Sequence, residues 1–288
     1  MIYLILSIIS STLIFVIFRY FQVFKIDTFQ AIVFNYIIAF FCGVLLYGDE
    51  WSRSALDNPT WILYSVICSI LFIGLFFVMA MSTQTNGVAS TSIAVKMSMV
   101  VSLLLMIIGY TEAITWLKIV GMLLAFVGVL LVSLPSKRTE KELRSTWMLI
   151  LLFFGSGLLD FTLNYVQNYE LKVLSPSLFS AFGLGGAGVL GMLILTFRIY
   201  TKKSTLQLKN VVAGIVLGIP NYFSIYCLIQ SYEKTGWTDS TVLAITNVSI
   251  VLGAALLGFI IFKEQATWKK IIGLICAVLA ITTLYISK

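Results

Sequence analysis

The stretch Glu112-Ala-Ile-Thr-Trp-Leu-Lys-Ile-Val-Gly-Met-Leu-Leu-Ala125 returns as Glu264-Gln-Ala-Thr-Trp-Lys-Lys-Ile-Ile-Gly-Leu-Ile-Cys-Ala277. Seven of the fourteen positions are identical at a constant offset of 152 residues. Each copy runs into the apolar stretch that ends its half of the 288-residue chain. The chain thus reads as one unit, about half its length, used twice, and duplicated apolar units are a common plan for membrane carriers.

Composition sets the class. The chain is 60% hydrophobic and 11% charged, whereas a soluble domain carries about 25% charged residues. Apolar runs of roughly 20 residues are long enough to span a hydrocarbon core about 30 Å thick. Ten are expected, over 3–18, 28–47, 60–82, 88–110, 116–134, 146–168, 178–200, 211–232, 240–262 and 268–287. All six tryptophans fall in connections or at span ends, where indole prefers the membrane interface. The expected class is an all-α polytopic membrane protein with no soluble domain.

Other features exclude functions. The chain has no histidine, which removes histidine-based acid–base catalysis and histidine metal sites. Cys42, Cys68, Cys227 and Cys276 lie singly inside spans without metal-ligand spacing, so they read as packing residues. The N-terminus has neither a basic region nor a small-residue cleavage site, so the first span is expected to be retained. The net charge of +7 comes from lysine-rich connections and needs no nucleic acid.

Five spans per half is an odd number, so the second half is expected upside down relative to the first. The organisation is then 1–135 as the first repeat, 136–145 as a polar linker and 146–288 as the second repeat. Of nineteen lysines and arginines, thirteen lie in connections after spans 1, 3, 5, 7 and 9, five lie on the other side, and Lys96 lies between. The positive-inside rule makes the first side cytoplasmic and puts both termini outside.

The duplicated Glu followed by Thr-Trp and Gly, with Gly87-Val-Ala-Ser90 leading span 4, resembles the EamA family of the drug/metabolite transporter superfamily. The resemblance covers the whole chain as two five-span repeats. It implies a secondary transporter, commonly an exporter of amino acids or related metabolites, with a cavity lined by spans 1–4 and 6–9. Members often carry a proline within spans 4 and 9, where this chain has Lys96 and Asn247 nearby. The resemblance also implies cytoplasmic termini, opposite to the charge count.

Candidate site residues follow from the cost of polarity in hydrocarbon. Lys96 is near the middle of span 4, where a lysine costs about 2.5–3.5 kcal/mol on insertion scales, so it should face a partner or a cavity. Asp160 in span 6, with Asn164 and Gln167 at i+4 and i+7, forms a polar stripe suited to the interior. Asn247 holds a place in span 9 one residue out of register with Lys96. In span 8, Pro220 cannot donate to Val216, which makes Asn221, Tyr222 and Tyr226 candidate cavity wall; Asn35 in span 2 is added on similar grounds. Each polar group can alternatively serve as interhelical glue. Gly183/Ala187/Gly191, Gly121/Ala125 and Gly273/Ala277 read as close-packing faces, including a contact between two copies.

The leading expectation is a secondary transporter of small polar metabolites, amino acids or related compounds, working by alternating access in the bacterial inner membrane. The alternatives are a carrier of phosphorylated or nucleotide-linked substrates, an integral-membrane lipid-modifying enzyme, and a non-transporting assembly subunit. An enzyme would need a catalytic cluster, and neither histidine nor paired carboxylates supply one. The partners implied are a small-molecule substrate, a coupling proton and membrane lipid, with no cofactor or nucleic acid, for a monomer or homodimer.

Overall fold

An apolar run in hydrocarbon must pair its own backbone groups, and a helix does so within one segment. In a computed structural model, which describes residues 1–50, 60–110, 115–133, 140–166, 176–237 and 239–286, the apolar runs are helices. They are α1 (Ile2–Val23), α2 (Thr28–Tyr47), α3 (Thr60–Asn86), α4a (Val88–Met97), α4b (Met99–Tyr110), α5 (Trp116–Ser133), α6 (Glu140–Tyr165), α7 (Pro176–Tyr200), α8 (Leu208–Lys234), α9 (Asp239–Ile260) and α10 (Trp268–Ile286). With α4a and α4b taken as one crossing, eight are long and apolar enough to span a membrane; Trp116–Val132 and Ile245–Ile260 are shorter apolar stretches. The protein is therefore an all-α, multi-pass membrane protein, in the order expected.

Three details differ from the expectation. Helix α1 continues to Val23. Helix α6 begins at Glu140, inside the stretch read as linker, because Glu140-Lys141-Glu142-Leu143-Arg144 consists of strong helix formers. Trp61 is buried at 8% exposure, against Phe182 with ring centroids 5.3 Å apart, and so packs the core. Trp116 and Trp268, by contrast, are 76% and 78% exposed.

The repeated motif explains its own chemistry. Thr115 and Thr267 each accept a backbone hydrogen bond three residues on, from Lys118 at 3.3 Å and Lys270 at 3.4 Å; both are N-caps, of α5 and α10. The repeated glycine serves one seam. A Cβ on Gly273 would lie 3.0 Å from the Gly128 carbonyl oxygen, and one on Gly121 would lie 2.6 Å from Leu284. Helices α5 and α10 thus meet backbone to backbone within the chain, as close-packing faces. Gly183 and Gly191 play the same role for α7, facing Phe72 and Val33 respectively.

The other helices form two triads. Helices α1, α8 and α9 pack together, as do α3, α4 and α6, while α2 and α7 pack on each other and on α8 and α3. The triads also pack on each other, α4a along α9 and α1 against α3. Phe18 meets Phe76 edge-on at 4.9 Å, and nearer the lysine-rich face that carries residues 24–27, 201–207 and 261–267 Arg19 donates to the Gln84 carbonyl oxygen. Among the described residues α6 makes no comparable packing with α8 or α9. At the same lysine-rich face the two halves are stitched together. Asn210 takes the Asp27 N–H at 3.0 Å and donates to Gln30 at 2.9 Å, and Gln30 donates to Ser204 at 2.8 Å.

Candidate functional site

The fourth crossing is interrupted at Ser98. Its backbone stays helical, φ −56° and ψ −21°, so the axis is not turned, but the hydrogen-bond ladder restarts there. The Ser98 carbonyl accepts from Val101 at 2.9 Å and Ser102 at 3.2 Å. The Ser98 hydroxyl donates to the Val95 carbonyl at 2.5 Å and lies near enough to Asp160 to interact with its carboxylate.

Lys96 occupies the last turn of α4a, just before the interruption, where a cation suits the carbonyl end of a helix. It is half-buried and interacts electrostatically with Asp160. Gly157 brings α6 close enough for this: a Cβ there would lie 2.6 Å from the Ser98 carbonyl oxygen and 2.5 Å from Val101. Asp160 follows one turn later on the same face. It is exposed, yet its partners Ser98 and Lys96 place the carboxylate on the protein side of α6. From the other triad, Asn247, 6% exposed, donates to the Met99 sulfur at 3.8 Å. The fold thus brings Lys96, Asp160 and Asn247 together around the interruption.

The remaining candidates separate from these. Asn221 donates to Asn35 at 3.1 Å across the α2–α8 contact. Asn35 is 0% exposed, and its own amide nitrogen has no partner. Glycines make this contact close: a Cβ on Gly218 would lie 2.9 Å from the Asn35 carbonyl oxygen. The bond links α2 to α8. Tyr222 is 3% exposed and faces Gly43 and α2; Tyr226, stacked on it at 6.4 Å, is half-buried. The side chain of Asn164, and Gln167, lie outside the described residues.

Ser98 and Met99 escaped the sequence reading. The signal was a run of small hydroxyl residues in span 4: Ser90, Thr91, Ser92, Ser98 and Ser102 are all buried, and Thr91 bonds Ser82 of α3 at 2.9 Å. Such residues let helices approach closely and hydrogen-bond across the contact.

An uncharacterized protein of Haemophilus influenzae is 24% identical over 266 residues, covering 89% of this chain and 88% of its own. A solved structure, described as the crystal structure of a protein, superposes with a TM-score of 0.57 over 96% of each chain at 13% identity. At that identity the likeness is one of fold. No family model matches the chain.

Proposed function

We propose that the chain is a secondary transporter of small polar metabolites, amino acids or related compounds, which it exports across the bacterial inner membrane by alternating access between two inverted five-helix repeats. The observation that carries this reading is the electrostatic interaction of Lys96 with Asp160 at the Ser98 interruption, with Asn247 reaching Met99 there from the other triad. One group of each sign, beside a neutral amide, suits the carboxylate and ammonium of a zwitterion. Substrate binding near mid-depth at an interrupted helix is the usual arrangement of inverted-repeat carriers.

Helix packing supports the repeat. Advancing each helix number by five, cyclically, turns α1, α8 and α9 into α6, α3 and α4, and returns the α2–α7 and α5–α10 pairs to themselves. The bonds between triads at the lysine-rich face, Val88 to Glu264 and Arg19 to Gln84, are what a carrier closed on that side would have. The chain resembles the EamA family of the drug/metabolite transporter superfamily in the same features: the duplicated Glu, Thr-Trp and Gly, and the Gly87-led start of the fourth crossing.

Thermal-shift screening of the purified protein against amino acids, nucleotides and organic phosphates tests the proposal, because a ligand that binds only the folded state raises its midpoint. An amino acid is expected to raise the midpoint of the wild type and not that of Lys96→Ala. It should also drive counterflow in proteoliposomes. A response to phosphorylated compounds alone, or no counterflow of any amino acid, would overturn the assignment.

A further inference from the structure

Glu264 belongs to the motif both halves carry and lies outside the site, yet its side chain is only 5% exposed. Its own N–H bonds the Gly258 carbonyl at 3.0 Å, so it is fixed to the end of α9. Its Oε1 accepts the Val88 N–H at 2.6 Å, satisfying a free donor at the start of α4a. The residue at the N-cap position cannot do this, because Gly87 has no side chain to offer. Gly87 also makes the contact possible: its φ is +93°, and a Cβ there would collide with the Glu264 carboxylate.

The contact joins the two triads, since α4a belongs to one and α9 to the other. It is also incomplete. Among the described residues Oε2 has no hydrogen-bond partner, and Lys270 Nζ lies 3.7 Å from it. An anion at a helix N-terminus is favourable, whereas a buried carboxylate oxygen held by one long ion pair and no hydrogen bond gives part of that back. The balance suits a contact that biases one arrangement without making it permanent.

We propose that Glu264 is a latch at the lysine-rich face, capping α4a while the two triads meet there and releasing it when they part. The inference rests on the alternating-access reading. It differs from ordinary helix capping in one respect: removing the carboxylate should shift a conformational equilibrium and not merely lower stability.

The test uses the full chain in lipid nanodiscs, cysteine-free apart from Thr85→Cys on α3 and Leu208→Cys on α8. Both positions are exposed at this face, one on each triad. Pulsed electron–electron resonance between spin labels there reads the separation of the triads. A short separation should dominate in the wild type with a longer one beside it. Glu264→Ala should raise the long-to-short ratio about fivefold, the size of effect expected from a lost N-cap. Glu264→Gln keeps the shape, replaces the carboxylate by a neutral acceptor and should raise it less, which covers the case that the alanine variant does not fold. Two separations whose ratio is unchanged in the Glu264 variants would overturn the latch and leave the carrier standing. A single, unchanging separation in wild type and variants would overturn both.

Discussion

The charges at the Ser98 interruption should not be equally expendable. Lys96 is half-buried at the end of α4a, whereas Asp160 is exposed on α6. Breaking a fully buried ion pair from one side costs about 3–5 kcal/mol, because a charge is left without compensation. An exposed pair is worth about 0–1 kcal/mol. With one partner of each kind, the loss falls between these limits and depends on which charge remains. Asp160→Asn strands the more enclosed lysine, so about 2–3 kcal/mol should be lost. Lys96→Met strands a carboxylate that is less enclosed than the lysine and keeps its interaction with Ser98, so a smaller loss of about 1 kcal/mol is expected. Lys96→Met with Asp160→Asn removes the pair as a unit and should be at least about 1 kcal/mol more stable than Asp160→Asn alone. Unfolding in mixed micelles with increasing sodium dodecyl sulfate, followed by tryptophan fluorescence, measures all four proteins. Equal losses for the two single changes, or losses that simply add in the double, would show that the two charges do not depend on each other, and the reasoning from burial would fail. Transport should be lost in all three variants even where stability returns.

Other outcomes follow from the packing. Gly273→Val should cost about 1–3 kcal/mol, the range for overpacking, because its Cβ would meet Gly128 and Val132. Gly74→Ala has nothing within 4 Å of the new carbon and should be neutral or gain up to about 1 kcal/mol from better helix propensity; the same unfolding assay separates them. A double-mutant cycle of Asn35→Leu and Asn221→Leu should give a coupling near 0.6 kcal/mol and not above about 1.7 kcal/mol, the span measured for hydrogen bonds between membrane helices. A cysteine placed at the exposed Lys203 in a cysteine-free protein should resist an impermeant maleimide in intact cells and react in inverted vesicles. Ready labelling in intact cells would reverse the orientation read from lysine and arginine.

The helices were legible because hydrocarbon leaves so few options. A run of apolar residues at this depth has to be a helix, and all ten spans were read to within about six residues at each end. The extra turn of α6 was missed because Glu140–Arg144 is polar, and polarity was taken for a loop although these residues favour helix. Side-chain partners were harder to read. Lys96, Asp160 and Asn247 announced themselves by cost, since an unpaired charge or amide in the bilayer demands company. Asn35 and Asn221 carried the same signal for a different reason: Asn221 donates to Asn35 between helices, and the sequence offers no measure of which helices adjoin. Ser98 gave almost no signal, because serine can bond its own helix and is cheap to bury. Its importance comes from Gly157, whose missing Cβ lets α6 reach it.

What the two halves share, and what they do not, follows one physical division. The repeated residues answer demands that both halves meet alike. Thr115 and Thr267 start a helix at the membrane edge, Trp116 and Trp268 face the interface, and Gly121 and Gly273 admit the backbone of the partner helix. The polar residues at the interruption obey no such rule. Lys96 stands near the place that Asn247 has in the other half, and Asp160 lies in the first helix of its half, where the corresponding helix α1 carries no acidic residue. A scaffold that closed at either face, as proposed, would need matching seams. A substrate with a carboxylate at one end and an ammonium at the other needs unlike partners, and a strictly repeated site would present the same group twice. The departure from symmetry at Lys96, Asp160 and Asn247 is therefore what the proposed zwitterionic substrate requires, within a frame whose repeated residues are occupied with helix ends and close packing.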